Sequence, residues 1–277
     1  TSWGYEWKKN KNGAESILTY KPANIELYQL QKFAKLDSLL LLNPFLRSSF
    51  NNGNVISQTI SYVHSGPSTN NFRQHNYFRI GVEESGALLG LSSSVQKNIY
   101  RYIKAEIELR KLIKFDYTEF AWRFMGGWGN NYSNDASLGG QLPFFKQFTA
   151  GGPYSMRAWG LRQLGLGSST FYDTSSKRQN FDRFGDLQLE TNLEYRFNIF
   201  GKLNGALLAD AGNIWNVYDN VEDENFTFNG IKSLKDVALG SGFGFRYDLG
   251  FFVIRTDFGF KTYNPAKEYA QRWFKGM

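Results

Sequence analysis

Alternation is the most regular signal in the chain. In Ile103-Lys104-Ala105-Glu106-Ile107-Glu108-Leu109-Arg110 every odd position is apolar and every even one is charged, the two-residue period of a strand with one apolar and one ionic face. Leu187, Leu189, Leu193, Tyr195 and Phe197 alternate in the same way with Gln188, Glu190, Asn192, Glu194 and Arg196. Phe120, Trp122 and Phe124 alternate with Glu119, Ala121 and Arg123, and Phe252, Ile254, Phe258 and Phe260 with Arg255, Asp257 and Lys261.

Followed along the chain, the pattern predicts about ten strands. They lie near Ser2 to Lys9, Glu15 to Leu27, Asn54 to His64, Arg73 to Glu84, Ile99 to Leu112, Phe115 to Trp128, Gly185 to Phe197, Lys202 to Trp215, Asp236 to Tyr247 and Phe251 to Thr262. Tight connections at Ile113-Lys114, Asn198-Ile199-Phe200-Gly201 and Asp248-Leu249-Gly250 alternate with long ones, as when one rim alone projects outward. Leu30, Phe33, Leu36, Leu39 and Leu40 have helical spacing, which predicts a short helix over Leu30 to Leu42, closed by Pro44 and packed on or over the rim.

Strands of this kind suit a soluble sandwich, polar face outward, or a membrane barrel, apolar face to lipid and ionic face to a wet lumen. The ionic faces favour the barrel, because neighbouring strands carry long side chains of both signs that can pair across a lumen. Aromatic placement points the same way: Trp3, Tyr5 and Trp7, Tyr100 and Tyr102, Trp122 and Trp128, Phe251 and Phe252, and Trp273 cluster toward the ends of apolar faces, at headgroup level. The expected fold is an all-β transmembrane antiparallel barrel.

Composition narrows the choice further. With 42% hydrophobic residues, 17% aromatic and six prolines in 277 residues, the chain is not disordered, and with no cysteine it has neither disulfides nor a thiolate metal site. The longest aliphatic run is Leu39 to Leu42, far short of the roughly 20 residues of a membrane helix. The net charge of +7 comes from scattered lysines and arginines on strand faces, so no nucleic-acid groove is expected. Two distant histidines and no cysteine give no metal cluster, the glycine pairs Gly139-Gly140 and Gly151-Gly152 lack a strand-to-helix context for phosphate, and no cofactor is expected.

The longest connection, Asn130 to Arg183, far exceeds the ordinary loop. It contains Leu142-Pro143-Phe144-Phe145-Lys146-Gln147-Phe148-Thr149-Ala150-Gly151-Gly152-Pro153-Tyr154-Ser155-Met156-Arg157-Ala158-Trp159-Gly160, aromatic anchors around one arginine between glycines. With the strand segments Asn192-Leu193-Glu194-Tyr195-Arg196-Phe197 and Leu208-Ala209-Asp210-Ala211-Gly212-Asn213-Ile214-Trp215, it resembles the BamA/TamA-type outer-membrane insertase superfamily, also called the bacterial surface antigen domain, over nearly the whole chain. In that family a loop folds into the lumen carrying a Val/Ile-Arg-Gly-Phe/Tyr tetrapeptide, matched here by Met156-Arg157-Ala158-Trp159. The resemblance implies that Arg157 pairs inside the barrel with Glu194 and Asp210. Strand parity independently turns Glu194 inward; for Asp210 parity is weaker, because Ala206 and Leu208 share its face. Ala158 for glycine and Trp159 for Phe or Tyr depart from the pattern and put the packing of the loop tip in question. Gly240, Gly242 and Gly244 share an inward face, which suits either close approach of the loop or barrel curvature alone.

The lipoprotein version found in Bacteroidota, called TamL, is the nearest look-alike, through a KPANI-like strand (Lys21 to Ile25), a PF-x-KQF-x-x-GGP-x-S loop entry (Pro143 to Ser155) and a GD-x-x-LE-x-N-x-EYRF strand (Gly185 to Phe197). It implies an outer-membrane assembly or translocation factor of a Gram-negative bacterium that is not an enzyme. Its expected partners are outer-membrane lipids and client outer-membrane proteins, with a TamB-like bridging protein or accessory lipoproteins as further candidates. Residues 1–277 then read as the C-terminal part of a barrel of about sixteen strands, with the periplasmic repeat domains, first strands and closing strand not present. Two other classes stay open: a porin or substrate-specific channel, and a barrel protease or phospholipase. The last needs a histidine with Asp or Ser. His64, beside Ser65-Gly66-Pro67-Ser68 in an expected turn, and His75, next to Asn71 and Asn76, read instead as solvated rim residues.

Overall fold

The computed structural model describes residues 1–29, 34–42, 52–68, 71–87, 99–133, 140–171, 181–218 and 223–274. Ten strands form one antiparallel sheet in the order of the chain: β1 (Ser2–Lys11), β2 (Ala14–Tyr28), β3 (Gly53–Ser68), β4 (Asn71–Ser85), β5 (Tyr102–Lys114), β6 (Thr118–Asn131), β7 (Leu187–Phe200), β8 (Leu203–Trp215), β9 (Ala238–Asp248) and β10 (Val253–Tyr263). A helix, α1 (Ala34–Leu42), lies between β2 and β3. Every connection is an up-and-down step to the next strand, the simplest wiring for a sheet that must leave no backbone group unpaired in lipid. It is a partial barrel.

The apolar strand faces are exposed and the ionic faces covered, the reverse of a soluble sandwich. Leu193, Tyr195, Leu207, Phe243, Phe245, Phe258 and Phe260 lie open, whereas Glu108, Glu190, Glu194, Asp210 and Arg246 are buried. The covering element is the β6–β7 loop, which lies across the ionic face and builds two small cores there. One gathers Phe148, Ala150, Met156, Trp159, Leu164 and Leu166 with Ile214, Phe226 and Ala238. The other joins Leu142 to Val55, Tyr100 and Tyr102.

Several strand ends differ from the periodicity. β3 runs on to Ser68, so Ser65 to Ser68 continue the strand in place of the expected turn and His64 sits within it, while His75 lies near the start of β4, as the alternation predicts. Gly66 permits this, since its missing Cβ is where Ala14 of β2 packs. The register of β2 shifts between Lys21 and Asn24, at Pro22, which has no N–H to give the ladder. β9 begins at Ala238 because Gly230–Asp236 wind into a 3-10 helix. Of the expected helix, Ala34–Leu42 is helical, and Leu30 to Phe33 and Pro44 fall outside the described residues.

Tyr100 and Tyr102 do not stand at headgroup level. Both are fully buried beneath the loop, and the Tyr102 hydroxyl donates to Glu83 at 2.8 Å. A long loop folded over the ionic face makes a second interior, which aromatic position along a strand cannot reveal.

Candidate functional site: a loop clamped to the ionic face

The loop tip turns back on itself at Gly151 and Gly152, whose φ angles of 109° and 101° lie in the left-handed region that glycine alone enters without strain. A Cβ on Gly151 would lie 2.3 Å from the Gly160 carbonyl oxygen. This hairpin carries Ser155 to Trp159 down onto β7 and β8.

Arg157 is almost wholly buried and all its donors face the wall. Nε lies 3.1 and 3.0 Å from the two Asp210 oxygens, Nη2 2.6 Å from Asp210 Oδ1 and 3.1 Å from the Leu193 carbonyl, and Nη1 2.8 Å from Glu194 Oε2. The Arg157 backbone N–H adds a bond to Asp210 Oδ2 at 2.9 Å. A planar, permanently charged fork suits two carboxylates on adjacent strands better than a lysine would.

The carboxylates have further partners. Asp210 accepts from Asn192 at 2.9 Å, and the same amide holds the Ser155 carbonyl. Glu194 accepts from Arg196 at 2.8 Å and from Arg246 of β9 at 2.9 Å, and Arg246 reaches Asp257 of β10. One chain of ion pairs therefore joins the loop to four strands. Ala206 and Leu208, whose apolar character weakens the parity argument for Asp210, are themselves buried on this inner face; a lumen filled by protein takes apolar side chains as readily as ionic ones.

Glycines on the wall receive the tip. A Cβ on Gly240 would meet Ala158 and the Trp159 ring at 3.3 Å, and one on Gly259 would meet the Ala158 Cα and Arg157 carbonyl at 2.9 Å. Of the inward run Gly240, Gly242 and Gly244, Gly240 has the tip as its nearest neighbour, whereas the atoms nearest to Gly242 and Gly244 belong to β10 and Arg246. Met156 and Trp159 are buried in the loop's own core, and Lys261 Nζ lies 5.7 Å from the Trp159 ring centre.

Two further clamps are not assigned by the sequence. Lys146 Nζ lies 2.9 Å from Glu26 of β2 and 2.8 Å from Glu83 of β4, and Glu83 also accepts from Ser57 and Tyr102. Arg123 of β6 joins Glu108 and Glu190, each at 2.7 Å, and donates to the Tyr154 carbonyl. Ser155 Oγ closes this second group onto Glu190. Lys146 belongs to the loop-entry motif and Arg123 to an alternating strand, so the signal is present, but pairing between distant segments is not written in periodicity.

At the outer end of the loop, just before β7, Asp186 accepts from the Leu142 N–H at 3.1 Å and from Gln147 at 3.3 Å. Burial outweighs these bonds and pushes its carboxyl up to about 6. His64 Nδ1 lies 2.9 Å from Ser16 Oγ, and among the described residues no carboxylate is hydrogen-bonded to His64. That pair lies on the apolar side of the sheet, away from the loop.

An up-and-down sheet with apolar residues outside, ions inside and a long loop clamped to its inner face defines an outer-membrane β-barrel with an inserted loop. Residues 47–275 match the model of the Omp85 superfamily domain, and the chain belongs to that superfamily, one of outer-membrane barrels for protein insertion or translocation. Among solved structures it is similar to BamA from Haemophilus ducreyi lacking POTRA domains 1–3, with a TM-score of 0.60 at 11% identity over 96% of this chain and 50% of that one. It is also similar to CdiB from Escherichia coli, with a TM-score of 0.53 at 10% identity over 92% of this chain and 40% of that one. At such identities the likeness is one of fold, and the chain spans half or less of either relative. A comparison with curated protein sequences gives no match.

Proposed function

We propose that this chain is the C-terminal part of the barrel of an outer-membrane assembly factor, and that its β6–β7 loop is an interior brace that keeps the barrel wall in shape while client proteins are inserted. The observation that carries the reading is the set of bonds from Arg157 to Glu194, Asp210 and the Leu193 carbonyl, made in a buried setting at the tip of a long loop. Bracing is a job for a buried ion network: stranding one partner of such a pair costs about 3–5 kcal/mol, so the loop leaves the wall only when the whole network is disrupted. The loop entry and the β7 motif favour the TamL branch and hence a Bacteroidota outer membrane. Outer-membrane lipids and client outer-membrane proteins are then the partners, with a TamB-like bridging protein or accessory lipoproteins working beside them.

A passive channel fits less well, since the loop crosses the inner face from Lys146 on β2 and β4 to Arg157 on β7 and β8. A hydrolase would need more than the Ser16–His64 pair, to which no carboxylate is bonded among the described residues.

The test is Arg157→Ala in the full protein, read as the amount of client protein assembled in the outer membrane and as the melting of the barrel followed by heat-modifiable gel mobility. Both are expected to fall, with Arg157→Lys intermediate. Normal client assembly in cells whose Arg157→Ala barrel melts early would sink the brace as a functional device while leaving the fold intact.

A further inference from the structure

We propose that the outward face of β1–β3, at its short-turn end, holds a binding site for the headgroup of an anionic phospholipid. The sheet register builds the site in layers. Trp7, Leu18 and Tyr62 are paired across the three strands, and one step nearer the turns Lys9, Ser16 and His64 are paired in the same way. Lys11 follows opposite Ala14 in the last layer. Between these side chains runs an open cleft of about 610 Å³.

The face is the one that meets lipid. Trp3, Tyr5, Trp7, Leu18 and Ile60 are exposed on it, while the opposite face of the same strands carries Glu26 toward the loop. Short turns mark the periplasmic rim of outer-membrane barrels, so the cleft opens at the level of the inner-leaflet headgroups. Its apolar layer is at acyl-chain depth and its polar layer at phosphate depth, the order in which a phospholipid presents its own groups.

Charge selects the occupant. Among the described residues no carboxylate lines the cleft. Lys8 is engaged by Glu6 at 3.0 Å, but Lys9 and Lys11 make no ion pair among the described residues. Two such ammonium groups at an interface attract anionic headgroups, and their alkyl stems can lie along the apolar layer. Ser16 Oγ and His64 Nδ1, 2.9 Å apart, with the Tyr62 hydroxyl donating to Ser16 at 3.3 Å, add hydrogen-bonding groups beside the charges. A lipid phosphate would find there both counter-charge and donors.

The site rests on the barrel orientation and not on the assembly role. The experiment is quenching of Trp7 by lipids brominated on their acyl chains, with the full protein in dioleoylphosphatidylcholine bilayers doped with brominated phosphatidylglycerol or brominated phosphatidylcholine. Subtracting the signal of a Trp7→Phe protein isolates this residue. Brominated phosphatidylglycerol is expected to quench at a several-fold lower mole fraction than brominated phosphatidylcholine. In Lys9→Gln/Lys11→Gln that preference should fall to none, while Lys9→Arg/Lys11→Arg keeps it. Equal quenching by the two lipids in the unmodified protein overturns the proposal even if the glutamine variant does not fold. So does an unchanged preference in a folded glutamine variant, and so does displacement by millimolar inorganic phosphate, which would indicate a site for a soluble anion.

Discussion

Arg157 and Asp186 show how much the same charge chemistry depends on its surroundings. Asp210 and Glu194 are both buried and each accepts from guanidinium groups, so Asp210→Asn or Glu194→Gln leaves a buried cation short of counter-charge and is expected to lower barrel stability by about 3–5 kcal/mol. The combined Arg157→Met/Asp210→Leu change, which removes both charges, should cost less than either single change, measured as gel-shift melting of the folded barrel. Asp186 has no cation bonded to it among the described residues, and its carboxyl is raised by burial. A carboxyl raised in the folded state adds stability that is complete below its unfolded value of 3.8 and is lost as pH climbs through about 6. Asp186→Asn, whose amide oxygen can still accept from Leu142 and Gln147, is therefore expected to melt above the unmodified protein at pH 7.5 and together with it below pH 4.

At the scale of elements, the loop and the wall are shaped to each other by missing side chains. Gly259 faces backbone atoms of Arg157 and Ala158 that cannot swing away, so Gly259→Ala must push the tip off the wall. Overpacking of this kind costs about 1–3 kcal/mol, and the loop of that variant should become open to added protease while the strands remain protected. Gly201, in the β7–β8 turn, has φ 51°, and a Cβ there would meet no described atom within 4 Å, so alanine should cost only the strain of its left-handed backbone, about 1–2 kcal/mol, and leave protease resistance unchanged. The inward glycines of β9 are visible in the sequence; which of them the loop tip touches is not, and Gly259 on the next strand gives no signal because a single glycine in an alternating strand carries no pattern.

At the scale of the molecule, the loop ties the early strands to the late ones. Lys146 bonds β2 and β4, Arg123 and Ser155 meet on Glu190, and Arg157 holds β7 and β8. Releasing one clamp leaves the loop tethered by the others, so Lys146→Met and Arg157→Ala are expected to raise single-channel conductance of the full protein in planar bilayers only modestly when separate. Together they should raise it by more than the sum of the two. Equal additive effects would show that the clamps act as independent contacts and not as one brace.

The ten strands, their order of faces and the inward position of Glu194 follow from the sequence, because a two-residue period reports directly which side of a sheet a residue occupies and needs no knowledge of the partner strand. The pairing of Arg157 with Glu194 and Asp210 is implied by resemblance, and parity alone supports only the first. Tertiary structure decided the rest: that Tyr100 and Tyr102 lie inside, that Lys146 and Arg123 are clamps, and that Lys9, Lys11, Ser16 and His64 share one membrane-facing cleft. These depend on register between strands and on where a long loop comes down, and both are set by contacts between segments far apart in the chain, which no local pattern of apolar and polar positions encodes.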